Sequence, residues 1–194
     1  MLMTNENIRL FPHDRLMRIT ILKLIPEWML PNHFTLLRFF LTPFVLYTLW
    51  IEEWPVALIL FLFAALTDAL DGSLARTRKQ ITMWGTIADP VADKMLIGSV
   101  VVLFVAREVN IAFAAIIVLM ECLIVLGALI RKRRRKKMVS ANEYGKIKMV
   151  LQVVGVTLLL LAKLLGFELM VPFAVGTLTL AIAFAIVSFL TYGL

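Results

Sequence analysis

Apolar residues in this chain run in unbroken blocks rather than in the one-sided stripes of a water-soluble helix or strand. Six blocks can be counted, at 34–51, 55–70, 87–106, 110–130, 149–165 and 170–192. Most approach the ~20 residues that a helix needs to cross ~30 Å of hydrocarbon, so the pattern predicts six transmembrane helices. Residues 13–29, HDRLMRITILKLIPEWM, read differently. Arg15, Arg18 and Lys23 interrupt them too often for a span, yet Leu16, Ile19, Leu22, Ile25 and Trp28 can face one way on a helix. That predicts an amphipathic helix lying in the membrane interface. Pro31 and Asn32 then turn the chain into the first span. Pro43 should bend that span, while Pro55 and Pro172 fall near helix starts, where proline is tolerated. The expectation is one all-α integral membrane domain over 1–194.

Composition agrees: 61% of the 194 residues are apolar and 17% charged, against about a quarter charged in a soluble domain. A soluble enzyme is nearly excluded. Cys122 stands alone inside an apolar block and can build neither a disulfide framework nor a thiolate metal site. The N-terminus, Met1-Leu-Met-Thr-Asn-Glu6, lacks the basic stretch, short apolar core and cleavage site of a secretory signal, so the first span is expected to stay.

Charge sets an orientation. All but two of the 20 basic residues lie in three groups: Arg9 to Arg38 at the N-terminal end, Arg76, Arg78, Lys79 and Lys94 around the second connection, and Arg131 to Lys137 with Lys146 and Lys148 around the fourth. The other side keeps Arg107 and Lys163 beside Glu52, Glu53, Glu108 and Glu168. The positive-inside rule therefore puts both termini and segments 70–94 and 131–148 in the cytoplasm of a cell-membrane protein. The run Arg131-Lys-Arg-Arg-Arg-Lys-Lys137 is explained by that topology and by anionic lipid heads, with no nucleic-acid partner required.

Four carboxylates are out of place in this scheme. Asp68, Asp71, Asp89 and Asp93 lie at the cytoplasmic ends of spans two and three, where a buried acid is costly and is functional by default. The members of each pair are three or four residues apart and share a helical face. An antiparallel turn through Arg76-Thr-Arg-Lys-Gln80 would make the four converge. Like charges that close need cations, and oxygen donors without Cys or His suit hard ions such as Mg²⁺ or Mn²⁺, two of which would balance four negative charges.

The full spacing is Asp68-x2-Asp71-Gly72-x2-Ala75-Arg76-x8-Gly85-x3-Asp89-x3-Asp93, eight fixed positions in 26 residues. It resembles, without exception, the signature of the CDP-alcohol phosphotransferase family, membrane enzymes of phospholipid synthesis. The resemblance implies six transmembrane helices, an N-terminal interfacial helix, a cytoplasm-facing site and a homodimer. It implies transfer of a phosphatidyl group from CDP-diacylglycerol to an alcohol, with release of CMP. Asp68, Asp71 and Asp89 would ligate the metal pair, Asp93 completing it and serving as the base for the acceptor hydroxyl. Gly72 would let the nucleotide approach the helix backbone, Ala75 would keep the groove shallow, Arg76 would fork onto phosphate oxygens and Gly85 would allow close helix approach. Thr82 and the Leu30-Pro31-Asn32-His33 stretch would surround the cytidine diphosphate. Alternatives stay open: His33 as an interfacial ring, Thr82 as a cap, and Arg38 either snorkelling or touching phosphate.

Two local patterns are similar to the branch of that family that makes phosphatidylglycerophosphate: Pro31-Asn32-x2-Thr35-x2-Arg38-x4-Pro43, and Gly145-Lys146-Ile147-Lys148-x3-Gln152. Lys146 and Lys148 at a helix start suit a second phosphate, such as that of glycerol 3-phosphate, or are plain topological flanking. Met120-Glu121 and Met149 depart from the branch, which usually has Arg-Glu and Thr at those places. Glu121, an intramembrane carboxylate, should pair with a basic residue of the site or make a helix–helix hydrogen bond. Inositol 1-phosphate and serine remain alternative acceptors. A divalent-cation channel or transporter is the rival from another class, but the acids cluster at the cytoplasmic ends and trace no path across. A purely structural lipid-binding protein would require a degenerate motif, and this one is intact.

Overall fold

The computed structural model describes Pro26 and residues 30–78, 85–135 and 143–192. Every regular element among the described residues is helical: α1 (Pro31–Trp50), α2 (Trp54–Thr77), α3 (Gly85–Val100), α4 (Ile111–Arg135), α5 (Glu143–Leu165) and α6 (Met170–Tyr192). α3 passes into a π-helical turn, Val101–Val105, and a last short turn, Ala106–Glu108. The six helices fall on the six apolar blocks, but several run past them. α2 continues to Thr77 and α4 to Arg135, while α5 begins at Glu143. The backbone hydrogen-bond ladder needs no apolar side chains, so a helix can project beyond the hydrocarbon that its sequence marks. The expected interfacial helix over 13–29 lies outside the described residues.

Local chemistry explains the helix ends. α1 starts with a reciprocal pair: the His33 amide donates to the Leu30 carbonyl at 3.0 Å, and the Leu30 amide donates to His33 Nδ1 at 3.2 Å. The helix continues through Pro43, and Pro55 and Pro172 sit in the first turns of α2 and α6. α5 ends with Gly166 at φ 63°, where the Phe167 amide donates back to the Ala162 carbonyl at 3.0 Å. The same six-to-one bond closes α1, from Glu53 to Thr48 at 2.9 Å, but there the left-handed residue is Glu52 at φ 61°. Asn110 begins α4, its Oδ1 accepting from the Ala112 amide at 2.7 Å.

The surface is unlike that of a soluble protein, and the mostly apolar interior holds several polar side chains. Phe40, Tyr47, Ile59, Ile111, Phe173 and Leu190 are among many large apolar side chains left exposed, whereas Thr35, Arg38, Asp71, Glu121, Lys148 and Gln152 are buried. Water would not tolerate the first set outside, and lipid would not tolerate the second. Three described helices are long and apolar enough to cross a membrane, over Trp54–Leu74, Tyr144–Leu165 and Met170–Thr191, and Ile111–Gly127 is a shorter apolar helix. The described residues are those of a helical membrane protein.

Its described residues divide between two compact units. The first holds the chain to Val45 and Ile59–Leu96, with Phe34, Phe61, Ala64, Leu74, Ala92 and Leu96 in its interior. The second holds Leu46–Leu58 and Ile97–Leu194. In this second unit α5 packs along α6, and α4 packs against α6 and the π-helical turn. Ala174, Leu178, Ala181, Ala185 and Ser188 form the buried stripe of α6. Gly155 faces it so closely that a Cβ there would stand 2.7 Å from Leu178 Cγ and 3.3 Å from the Ala174 carbonyl oxygen. Small residues are what let membrane helices approach to that degree.

Candidate active site

Span two was expected to carry one carboxylate pair and span three the other, and the first unit gathers three of the four acids around Arg38. Arg38 lies two turns into α1 and is fully buried. Its Nη1 pairs with Asp68 Oδ1 at 3.1 Å and also donates to Asp93 Oδ1, while Nη2 donates to Asp71 Oδ2 at 2.5 Å. Asp68 and Asp71 come from α2 and Asp93 from α3, so one guanidinium joins three helices. Because Asp68 and Asp93 meet the same nitrogen, their carboxylates are brought together although they are 25 residues apart in sequence. Asp71 is the inner member, its side chain 4% exposed, whereas those of Asp68 and Asp93 are 25% and 22% exposed. The snorkelling alternative for Arg38 is thereby set aside.

The surroundings are polar for a membrane interior. Thr35 and Ser73 are fully buried, and Thr42 Oγ1 donates to the Arg38 carbonyl at 2.8 Å. Arg38 Nε is buried with no hydrogen-bond partner. Asn32 is half-buried and His33 exposed at the start of α1, and Pro31 is buried beside the partly exposed Leu30. Gly72 and the backbones of Ala75 and Arg76 continue α2, Gly85 opens α3, and Asp89 stands four residues before Asp93 on that helix. The side chains of Ala75, Arg76 and Asp89, and all of Thr82, lie outside the described residues.

The donor set suits a hard cation: three carboxylates from two helices, all oxygen, and no thiol or imidazole among them. Among the described residues, however, no three acids, histidines or cysteines are arranged around one ion. Asp68, Asp71 and Asp93 are turned onto Arg38 instead.

A second buried polar cluster belongs to the second unit. Glu121 of α4 accepts from Lys148 Nζ, and from Gln152 Nε2 at 2.9 Å, both on α5. All three residues are buried. Glu121 thus finds a basic partner across two helices. Gln152 entered the sequence reading only as the last position of the pattern that opens at Gly145; its place one turn after Lys148 is what lets both side chains reach Glu121. Lys146 is half-buried at the start of α5.

A family model described as CDP-alcohol phosphatidyltransferase matches residues 28–190. The chain is 35% identical over 175 residues to the CDP-diacylglycerol--glycerol-3-phosphate 3-phosphatidyltransferase of Bacillus subtilis, covering 82% of this chain and 90% of that protein. It is 26% identical over 180 residues to CDP-diacylglycerol--glycerol-3-phosphate 3-phosphatidyltransferase 2 of Arabidopsis thaliana, covering 84% and 77%. Over a shorter stretch of 79 residues, 41% of this chain and 42% of the relative, it is 43% identical to the CDP-diacylglycerol--glycerol-3-phosphate 3-phosphatidyltransferase of Yersinia enterocolitica. A model match that runs through nearly every described helix, with a relative similar across most of both chains, shows that this chain belongs to the CDP-alcohol phosphatidyltransferase family.

Proposed function

We propose that the chain transfers the phosphatidyl group of CDP-diacylglycerol to glycerol 3-phosphate, releasing CMP and forming phosphatidylglycerophosphate. The observation that carries this reading is the convergence of Asp68, Asp71 and Asp93 of the signature from two helices onto one point. The names of the relatives from Bacillus subtilis and Arabidopsis thaliana support the acceptor.

Phosphoryl transfer needs the diphosphate held, its charge offset and the attacking hydroxyl in line. Asp68, Asp71, Asp89 and Asp93 would hold the divalent ions, Mg²⁺ or Mn²⁺. When bound, such ions supply charge neutralisation for the diphosphate and for the departing CMP. Asp93 accepts the proton of the glycerol 3-phosphate hydroxyl; its side chain is partly exposed, whereas Asp71 is enclosed and holds Arg38 in place. The hydroxyl oxygen then bonds to the phosphatidyl phosphorus as the bond to the CMP oxygen breaks. By resemblance to the family, Gly72, Ala75, Arg76, Thr82 and Gly85, with Leu30, Pro31, Asn32 and His33, would contact the nucleotide. The acceptor's own phosphate falls to Lys146 and Lys148, since the Arg38 guanidinium is taken up by the aspartates and Glu121 serves to hold Lys148.

The six helices act as six spans, with both termini and the site on the cytoplasmic side of the cell membrane. One observation supports that topology. Glu52, Arg107, Glu108 and Lys163, all assigned by charge to the far side, form one chain of ion pairs: Arg107 with Glu52, Arg107 with Glu108 at 3.4 Å, and Lys163 with Glu108. The test of the acceptor is to give the purified protein CDP-diacylglycerol with glycerol 3-phosphate, inositol 1-phosphate or serine, and to identify the lipid product by mass spectrometry. Phosphatidylglycerophosphate is the expected product; phosphatidylserine or an inositol lipid in its place would move the chain to another branch.

A further inference from the structure

Arg38 is fully buried, so its charge must be met from inside the protein, and the three carboxylates that meet it include an excess of two negative charges over one positive. Those carboxylates are also the ones that the proposed function gives to the metal. A carboxylate oxygen directed at a guanidinium N–H is not free for an ion, and a divalent cation placed among them would stand next to a fixed positive charge. Without any cation, three acids brought to one point inside a membrane would repel one another or take up protons. The site therefore has two ways to be neutralised, one supplied by the chain and one from solution.

We propose that Arg38 is the built-in counter-ion of the metal site. It keeps Asp68, Asp71 and Asp93 assembled in the metal-free chain and competes with the divalent cation for their oxygens, so metal binding requires at least part of the Arg38 pairing to open. The inference rests on the reading of these aspartates as metal ligands. Competition of this kind lowers apparent affinity by the fraction of chains in which the pairs are open: if about one in ten is open, the ion binds about tenfold more weakly than the carboxylates alone would allow. The unpartnered Nε fits a side chain held by its two terminal nitrogens alone, with no bond that would anchor it when they let go.

The experiment measures Mn²⁺ binding to the full chain in detergent, without substrates, from the electron-paramagnetic-resonance signal of free Mn²⁺. Wild type is compared with Arg38→Gln and Arg38→Lys, and each is also melted in EDTA and in Mn²⁺. Competition predicts that Arg38→Gln binds Mn²⁺ about tenfold or more tightly than wild type, melts lower in EDTA, and gains more from Mn²⁺. Arg38→Lys, whose single ammonium cannot fork across three carboxylates, should bind a few-fold more tightly; it carries the test if Arg38→Gln does not fold. Equal or weaker Mn²⁺ binding by the variants, while wild type binds, would overturn the role of Arg38 and leave the metal site standing. No Mn²⁺ bound by any of the three chains would overturn the metal-site reading, and this inference with it.

Discussion

Asp68 and Asp93 share one guanidinium nitrogen and similar exposure, yet the proposed chemistry gives them different work. Only Asp93 receives a proton, so Asp93→Asn keeps its size and part of the metal shell while deleting the base. It should lose about 10²–10⁴ in kcat at every Mg²⁺ concentration, the usual contribution of a placed proton acceptor. Asp68→Asn should instead recover activity as Mg²⁺ rises, because it has lost only charge at the site. Measuring kcat against Mg²⁺ for both separates the roles: rescue of Asp93→Asn would make it a ligand alone. In the other cluster, Lys148→Ala strands the buried Glu121 carboxylate and should destabilise the protein by about 3–5 kcal/mol, seen as a lower Tm. The pair Glu121→Gln with Lys148→Met should recover most of that loss. Lys146→Ala is therefore the cleaner probe of the acceptor phosphate: it should raise KM for glycerol 3-phosphate and leave KM for CDP-diacylglycerol unchanged. The aspartates were legible in the sequence because spacings of three and four have one helical meaning. Arg38 was not, since an arginine near a span end can reach the interface or turn inward, and only the packing around it decides.

At the scale of helices, each apolar block falls on a described helix, but hydropathy marks spans and not helix ends, and a helix can project past its apolar part, as at Thr77, Arg135 and Glu143. The π-helical turn had no signal at all: Val101-Val-Leu-Phe-Val105 is the sequence of any apolar helix, and the turn is known only from its hydrogen bonding. The contact of α5 with α6 depends on Gly155. Gly155→Val would drive methyl groups into Leu178 and the Ala174 carbonyl and should cost about 1–3 kcal/mol, lowering Tm. Gly98→Ala is the control. Nothing lies within 4 Å of a Cβ at Gly98, so this variant should melt at or slightly above the wild-type temperature. A Gly155→Val protein as stable as wild type would mean that the two helices do not need their close approach.

For the whole molecule, the many large apolar side chains left exposed were foreshadowed by composition, because a chain with 61% apolar residues cannot hide them all. The meeting of acids 25 residues apart was legible too, as two short-spaced pairs joined by a turn. What the sequence left open was which charges neutralise which, because that is decided by three helices at once. The acceptor is likewise a matter of the assembled site rather than of any one motif. What stands or falls here is the proposal that this assembly transfers a phosphatidyl group with the help of divalent cations. Its most direct test is CMP release by the purified protein, supplied with CDP-diacylglycerol and glycerol 3-phosphate, before and after chelation. Steady CMP release is expected in Mg²⁺ or Mn²⁺; it should depend on the acceptor, stop in EDTA and return when the ion is restored. Release that persists without divalent ions, or no CMP with any alcohol supplied, would contradict it.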